Sequence, residues 1–516
     1  MKFKKLKAVA AVISLSLLVG CGGKVNTVKT NVNEKTLVYG SHDYTSINPA
    51  LYEHGEINLL LFNGLTAHDE NNNVVPCLAE NWEYDKDNLT YTFNLRKDVK
   101  WHDGKPFTAN DVKFTFDTIE NPENNSEIKT NYENIKEIQV VNDNTVKFIL
   151  KNENVALLDY LTVGIIPKHI LENEDISTAE FNRHPIGTGP YKFSNWDEGQ
   201  SISLVRNEDY FKGEPKINNI VFKIVEDSKA RVMQLESGEL DLTQVTPKDI
   251  SKFDKNDKFN VDVMNTSDYR GIMYNFNVPL FKNNRELPNA LSYAIDRKAI
   301  VKNILLGYGQ VAYSPLQKGK YNDENMEKFE YNPEMTRKIL EDNGWVLDNE
   351  NVYEKNGTKL SFELVCPEGD QERIDIAKFA AQQLREVGAN VKVAIKSNID
   401  WENQDAYLIG WGSPFDPDDH TYKVFTTDGG ANYGYYSNTK IDEILKKARE
   451  TDVDGERQKY YKEFQEELTK DMPYTLLVYI DAIYVAKSNI TGIKTDTTLG
   501  HHGVGIFWNV QDWNIE

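Results

Sequence analysis

The order of elements in this sequence predicts an α/β body built as lobes, not an all-β or all-α one. Three observations carry that prediction. Short runs rich in aromatic and β-branched residues read as strands, at Leu37-Val38-Tyr39 and at Thr90-Tyr91-Thr92-Phe93-Asn94-Leu95. Helical periodicities with start and stop signals of their own lie between such runs. The two kinds of element alternate on both sides of the middle of the chain, without tandem repeats.

The first element is a leader. Lys2, Lys4, Lys5 and Lys7 precede an apolar run from Ala8 to Val19, the pattern of a secretory signal too short to span a bilayer with ease. It closes on Leu18-Val19-Gly20-Cys21, a lipobox, in which the cysteine is the acyl acceptor. Residues 1–20 are therefore expected to be removed, leaving Cys21 lipidated at the start of the mature chain. That chain is expected on the extracytoplasmic face of the cell membrane, held by its lipid; the plain alternative is a free cysteine that happens to follow Gly20. Residues 21–35 are polar and aperiodic, which suits a tether.

Within the body, Asn332-Pro333 followed by Met335, Ile339, Leu340 and then Gly344 predicts a helix with an N-cap, a proline in its first turn and a glycine stop. Ile374, Ala377, Ala381 and Leu384 share one helical face ended by Gly388, and Val391-Lys392-Val393 begins the next strand. The 496 residues left after the leader suffice for two or three domains. With 40% hydrophobic and 11% aromatic residues they can bury a large core. No second apolar stretch of membrane-spanning length follows the first. The net charge of −21 becomes −25 when the leader takes four lysines with it, which argues against nucleic acid as a partner. Solubility alone accounts for that acidity. Beyond Cys21 only Cys77 and Cys366 remain, so one disulfide is open and a cysteine-rich metal framework is excluded.

Leu78-Ala79-Glu80-Asn81-Trp82, the strand Tyr91 to Leu95, Arg96-Lys97-Asp98-Val99-Lys100-Trp101-His102-Asp103-Gly104 and Phe107-Thr108-Ala109-Asn110-Asp111-Val112 follow one another in the order and spacing of a known signature. Pro185-Ile186-Gly187-Thr188-Gly189-Pro190-Tyr191, Leu204 to Phe211, Tyr331-Asn332-Pro333, Leu384 to Gly388 and Tyr436-Ser437-Asn438 leading to Asp442 extend it over almost the whole mature chain. The chain resembles the extracellular solute-binding proteins of the peptide/nickel class (family 5), which feed ABC importers. The resemblance implies a periplasmic-binding-protein-like α/β fold: two lobes around a cleft, a hinge, and an extra small α/β domain on the N-terminal lobe. Carried onto this chain, lobe I takes 36–60, 185–265 and 490–516, the extra domain 61–184, and lobe II 266–489. The crossing strands are expected near Tyr274–Asn277 and Tyr479–Val485. Most matched residues read as structural, with Gly104, Gly187 and Gly189 in turns that need positive φ, and Trp82 and Trp101 in the core.

No catalytic constellation is present. Gly-x-Ser-x-Gly, His-Glu-x-x-His and the phosphate loop are all absent, so an enzyme is not expected. Asp416-Pro417-Asp418-Asp419 lacks the glycine-turned loop of a calcium site. The stretch Trp411-Gly412-Ser413-Pro414-Phe415-Asp416-Pro417 separates the ligand classes. In peptide-binding members an aspartate stands three residues before the Asp-Pro and pairs with the peptide's terminal ammonium. Here Ser413 takes that place and cannot supply the charge. The stretch is similar instead to the Trp-Gly-Ala-Pro-Tyr-Asp-Pro of nickel-binding members, which implies that Trp411 and Phe415 face the ligand; the alternative is that Trp411 packs in a lobe core and Ser413-Pro414 is only a turn.

Tyr52 aligns with a pocket tyrosine of nickel binders, and His54 follows two residues later. His501 and His502 stand where the family chain returns to lobe I, and imidazole suits nickel, copper or zinc. On an extended segment the two would point to opposite faces, so at most one of them is expected to enter a given pocket; all three can equally be ordinary loop histidines. His420 is a weaker candidate. Two arginines that clamp chelator carboxylates in Gram-negative nickel binders fall near Asn125 and Val163, neither of them basic, which leaves Arg270 as the candidate grip. The resulting expectation is a monomeric binding protein without a cofactor of its own, capturing a nickel chelate by lobe closure and delivering it to ABC importer permease subunits. A receptor for a restricted set of short peptides is the alternative.

Overall fold

The computed structural model describes residues 35–52 and 55–516; the leader, Cys21 and His54 lie outside the described residues. Two large sheets dominate. The first, seven-stranded, runs in the order Phe259–Met264, Ala482–Lys487, Leu242–Val245, Thr36–Ser41, Asn219–Ile224, Ser201–Arg206, Tyr191–Asp197. The second, six-stranded, runs Gly309–Val311, Tyr474–Ile480, Tyr269–Tyr274, Ala406–Trp411, Ser361–Pro367, Asn390–Lys396. A four-stranded antiparallel sheet, Ala79–Asp85, Thr90–Leu95, Thr145–Leu150 and Ile135–Asn142, packs with helix Ala109–Glu120. Apolar packing follows this division. One core joins the seven- and four-stranded sheets, and a separate core surrounds the six-stranded sheet. A third, smaller core lies against the seven-stranded sheet between Val232 and Phe253 and at Ile483 and Val485; that the cores of the two large sheets do not merge is the physical basis for two lobes.

The lobes are joined where neighbouring strands change sheets together. Met264 pairs with Ala482 in the first sheet, and Tyr269 with Tyr479 in the second. The chain therefore crosses at Asn265–Asp268 and again at Asp481. Thr266 Oγ1 donates to Ile480 O at 2.6 Å, and Ile480 N donates to Asp268 O at 3.0 Å, tying the crossings to each other. The first crossing thus precedes the expected one at Tyr274–Asn277, because Tyr269–Tyr274 is already a central strand of the second sheet. Strand Ala482–Lys487 is bonded into the first sheet, so lobe I resumes there and not at residue 490.

Local chemistry explains where single elements begin and turn. Helix Pro333–Asp342 is capped by Asn332, whose side chain accepts from Met335 N at 3.1 Å, a contribution of about 1 kcal/mol. Helix Gln371–Glu386 is capped in the same way by Asp370 from Arg373 N at 2.9 Å. Gly104 has φ +87 as expected, whereas Gly187 and Gly189 do not have positive φ. They are needed for close approach: a Cβ would lie 1.7 Å from Leu61 O at Gly187 and 2.3 Å from Leu60 O at Gly189. Trp101 is buried and Trp82 packs at the edge of the first core. Cys77 and Cys366 are both buried and free, so the open disulfide is not formed. Among the described residues, no helix is long and apolar enough to cross a membrane.

Candidate ligand-binding site

The first crossing delivers a charged cluster to the hinge. Asp268 is wholly buried, and its Oδ1 accepts from Arg270 Nη1. His501 Nδ1 lies 2.9 Å from the same oxygen, and His502 N donates to Oδ2 at 2.9 Å. Burial alone would push the Asp268 carboxyl up, but Arg270 and His501 outweigh it and hold it well below the usual carboxylate range. Arg270 lies on strand Tyr269–Tyr274, just after the crossing, directly opposite Gly410. A Cβ at Gly410 would sit 2.2 Å from Arg270 Nη1 and 2.9 Å from Arg373 Nη2, so the missing side chain makes room for two guanidiniums. Arg373 is buried and pairs with Asp370 at 3.2 Å. Burial pushes the neighbouring Glu372 carboxyl up to about 7.

Sequence reasoning missed Asp268, Arg373 and Glu372. The signal for Asp268 was available, since residues two apart on an extended segment share a face and Arg270 was already singled out. The histidines differ from expectation. His501–Gly503 is a 3₁₀ turn, not an extended segment, with His502 at φ +57. The two rings therefore lie together, centroids 3.8 Å apart, instead of on opposite faces. Ligand atoms of Asp268, His501 and His502 all fall within 4.8 Å of one another. Trp411 stands 6.0 Å from His501 by ring centroids, with Lys423 Nζ 5.7 Å from the Trp411 centroid on its face. Trp411 also packs, partly buried, against the second core.

Next to this cluster, Ser267 and Pro414 line a polar cavity of about 440 Å³ that runs between Asn71–Val74 and Lys318–Tyr321. Ser413, Phe415 and His420 line it as well, whereas Trp411, Arg270, His501 and His502 stand outside its lining, as does Tyr52, 38% exposed. Ser413 Oγ accepts from Phe415 N at 3.3 Å and its hydroxyl bonds to Asp419. The acidic run is fully spent on protein cations. Arg457 grips Asp416 with two bonds of 2.6 Å, Arg449 grips Asp418 at 2.9 and 2.6 Å, and Lys423 meets Asp419 at 3.0 Å. Burial lowers the proton affinity of His420 on the wall of the same cavity.

A family model for bacterial extracellular solute-binding proteins, family 5, matches residues 73–433. The chain belongs to this family. As a family 5 binding protein it is the substrate-binding component of an ABC importer and not an enzyme. The oligopeptide-binding protein AppA of Bacillus subtilis is 32% identical over 505 residues, which cover 92% of this chain and 91% of the relative. The crystal structure of NikZ from Campylobacter jejuni in complex with Ni(L-His) is 38% identical with a TM-score of 0.88, covering 93% of this chain and 99% of NikZ. AppA from B. subtilis in complex with a nonapeptide gives 31% identity and a TM-score of 0.85 over 94% of this chain and 99% of AppA. The expected α/β periplasmic-binding-protein fold is the fold of these structures.

Proposed function

We propose that this binding protein captures a nickel chelate between its lobes and passes it to the permease, with a lipid on Cys21 holding it at the membrane. The observation that carries the reading is His501, seated on the buried Asp268 and beside Trp411. Neutral imidazole suits nickel, an aromatic wall suits a compact chelate, and Arg270 and Arg373 place positive charge behind the imidazoles for chelator carboxylates. The complex of Ni(L-His) with NikZ, 38% identical, supports it. The cavity beside this cluster, lined by Ser413 and Phe415 and not by the histidines, has about 440 Å³, the size of a small-molecule pocket. Closure needs no chemistry, because the ligand stabilises the closed population by its differential affinity.

A restricted set of short peptides is the second reading. It is favoured by the cavity's extension toward Asn71–Val74 and by the likeness to AppA. Against it, the carboxylate nearest Ser413 is Asp419, already neutralised by Lys423, so no spare negative charge stands there to meet a peptide ammonium. Calorimetric titration with nickel, with nickel plus L-histidine, and with a peptide panel decides between them. Saturable one-site binding of nickel–L-histidine with weak peptide binding is expected. Tight peptide binding without any response to nickel–L-histidine overturns the proposal.

A further inference from the structure

We infer that His420 is a ligand-contacting residue of the cavity between the lobes, and that its ring holds an oxygen acceptor of the captured molecule. The inference rests on the reading that a ligand is captured there, and it names the group that is held. His420 lies on helix Asp418–Phe425 and lines the cavity with Ser413 and Phe415. It is 6% exposed, and neither ring nitrogen hydrogen-bonds to another described residue; Nδ1 is also shut off from solvent. A polar ring so enclosed and without a partner is destabilising, which points to a partner that arrives with the ligand.

The polar groups beside it in the chain are spent. Asp416 is gripped by Arg457, Asp418 by Arg449 and Asp419 by Lys423, and the Thr421 hydroxyl donates to Pro417 O at 2.7 Å. The same bonds pin the helix, so the ring is held where it lines the cavity. Three carboxylates stand near it, yet burial outweighs them and lowers its proton affinity. A neutral imidazole carries one N–H and one lone pair. An enclosed N–H without an acceptor is the rarer orphan, so Nδ1 keeps the lone pair and Nε2 carries the hydrogen. The ring therefore offers a donor, and the partner it lacks is an oxygen. In a nickel chelate that oxygen belongs to a chelator carboxylate, and in a short peptide to a carbonyl or the terminal carboxylate. His420 belongs to no cluster of metal-ligating side chains among the described residues, so its role is toward the organic part of the ligand.

His420→Phe keeps a flat ring and removes both nitrogens. In calorimetric titrations its affinity for the probe that wild-type protein binds, nickel–L-histidine or a peptide, should fall about tenfold. Its Tm without ligand should stay level or rise, because no unpartnered nitrogen is then buried. His420→Gln, which keeps a donor, should recover part of the lost affinity. A lower Tm in both variants in step with the affinity would mark a structural ring, and wild-type affinity in His420→Phe would show that nothing is held there; either overturns the inference. A loss for nickel–L-histidine assigns the oxygen to the chelator, and nickel–histamine, which lacks the carboxylate, should then lose less. Equal losses for the two chelates overturn the oxygen acceptor. A loss for peptides, with no wild-type binding of nickel–L-histidine, leaves the inference standing on a peptide oxygen while the nickel reading falls. Wild-type protein that binds neither probe overturns capture in this cavity and the inference with it.

Discussion

His68 and Phe415 stack face to face across the cleft, ring centroids 3.7 Å apart and planes 6° from parallel. His68 ends strand Thr66–His68, ahead of the four-stranded sheet, whereas Phe415 follows strand Ala406–Trp411 of the six-stranded sheet. The contact does not stand alone. His68 Nε2 lies 3.0 Å from Asp159 Oδ1, which also accepts from Asp416 N at 3.3 Å. Farther along the same seam Tyr160 donates to Asp418 at 2.8 Å, and Val155 N donates to Arg449 O at 3.1 Å. Phe415, expected from sequence as a ligand wall, lines the cavity and is also a closing contact between the lobes.

Removing that ring should loosen closure without touching the histidine cluster. A stacked aromatic pair contributes about 0.5–1.5 kcal/mol beyond its buried area. Phe415→Ala is therefore expected to weaken ligand binding about two- to tenfold and raise the open population seen by small-angle scattering. His68→Ala should do the same. Unchanged affinity and unchanged scattering in both variants would remove the stack from the closing mechanism.

His102 gives a prediction about acid. Its Nε2 donates to Gly189 O at 3.1 Å while its Nδ1 accepts from Gly187 N at 3.1 Å, and only the neutral ring can do both. Burial pushes its pKa down to about 4 from the ordinary 6.5. The unfolded chain takes up the proton near 6.5 and the folded one only near 4, so between those values the unfolded state binds more protons. Stability should fall as pH drops through that window and level off below it, by on the order of 3 kcal/mol. Glutamine can donate and accept in the same places without titrating. Urea unfolding of His102→Gln at pH 7, 5.5 and 4.5 should show a flatter loss than wild type; parallel losses would dispose of the assignment.

What could be read from sequence follows from how local each signal is. Strand Thr90–Leu95 occupies the expected residues because one face is buried and the other is not, which preserves a period of two. Helix Pro333–Asp342 was legible from Asn332, Pro333 and Gly344, which act within a turn of themselves. The sheet change at Asn265–Asp268 was placed too late because Tyr269–Tyr274 is buried at every position, and a strand buried on both faces carries no periodicity to say which sheet it joins. Gly187 and Gly189 were misread for a related reason: what excludes a side chain there is the backbone of Leu60 and Leu61, far away in sequence. The pairing of Asp268 with His501 spans 233 residues and leaves no local trace at either end.

Lipidation at Cys21 is tested by location. Cys21→Ser should release an uncut or soluble form from the membrane fraction while leaving ligand affinity as in wild type. A variant still wholly bound to the membrane would end the lipobox reading, since the apolar run Ala8–Val19 alone is too short to anchor the body stably.

Ser413 tests why ordinary peptides should bind poorly. Aspartate at this position supplies a carboxylate, but it arrives beside Asp419, to which the Ser413 hydroxyl is already bonded. Burial pushes the Asp419 carboxyl up, and Lys423 at 3.0 Å more than offsets it, holding the carboxyl below its ordinary range. A second carboxylate would share that single ammonium, and two acids so close do not both ionise. Ser413→Asp alone should therefore give only a small gain for peptides with a free terminal ammonium. Ser413→Asp/Asp419→Asn, in which the introduced aspartate would face Lys423 in place of Asp419 and again leave no spare charge, should give a smaller one still. Acetylated peptides should gain in neither. Calorimetry with matched free and acetylated peptides measures the difference, and equal gains for both forms would show that charge pairing is not what the wild-type site lacks.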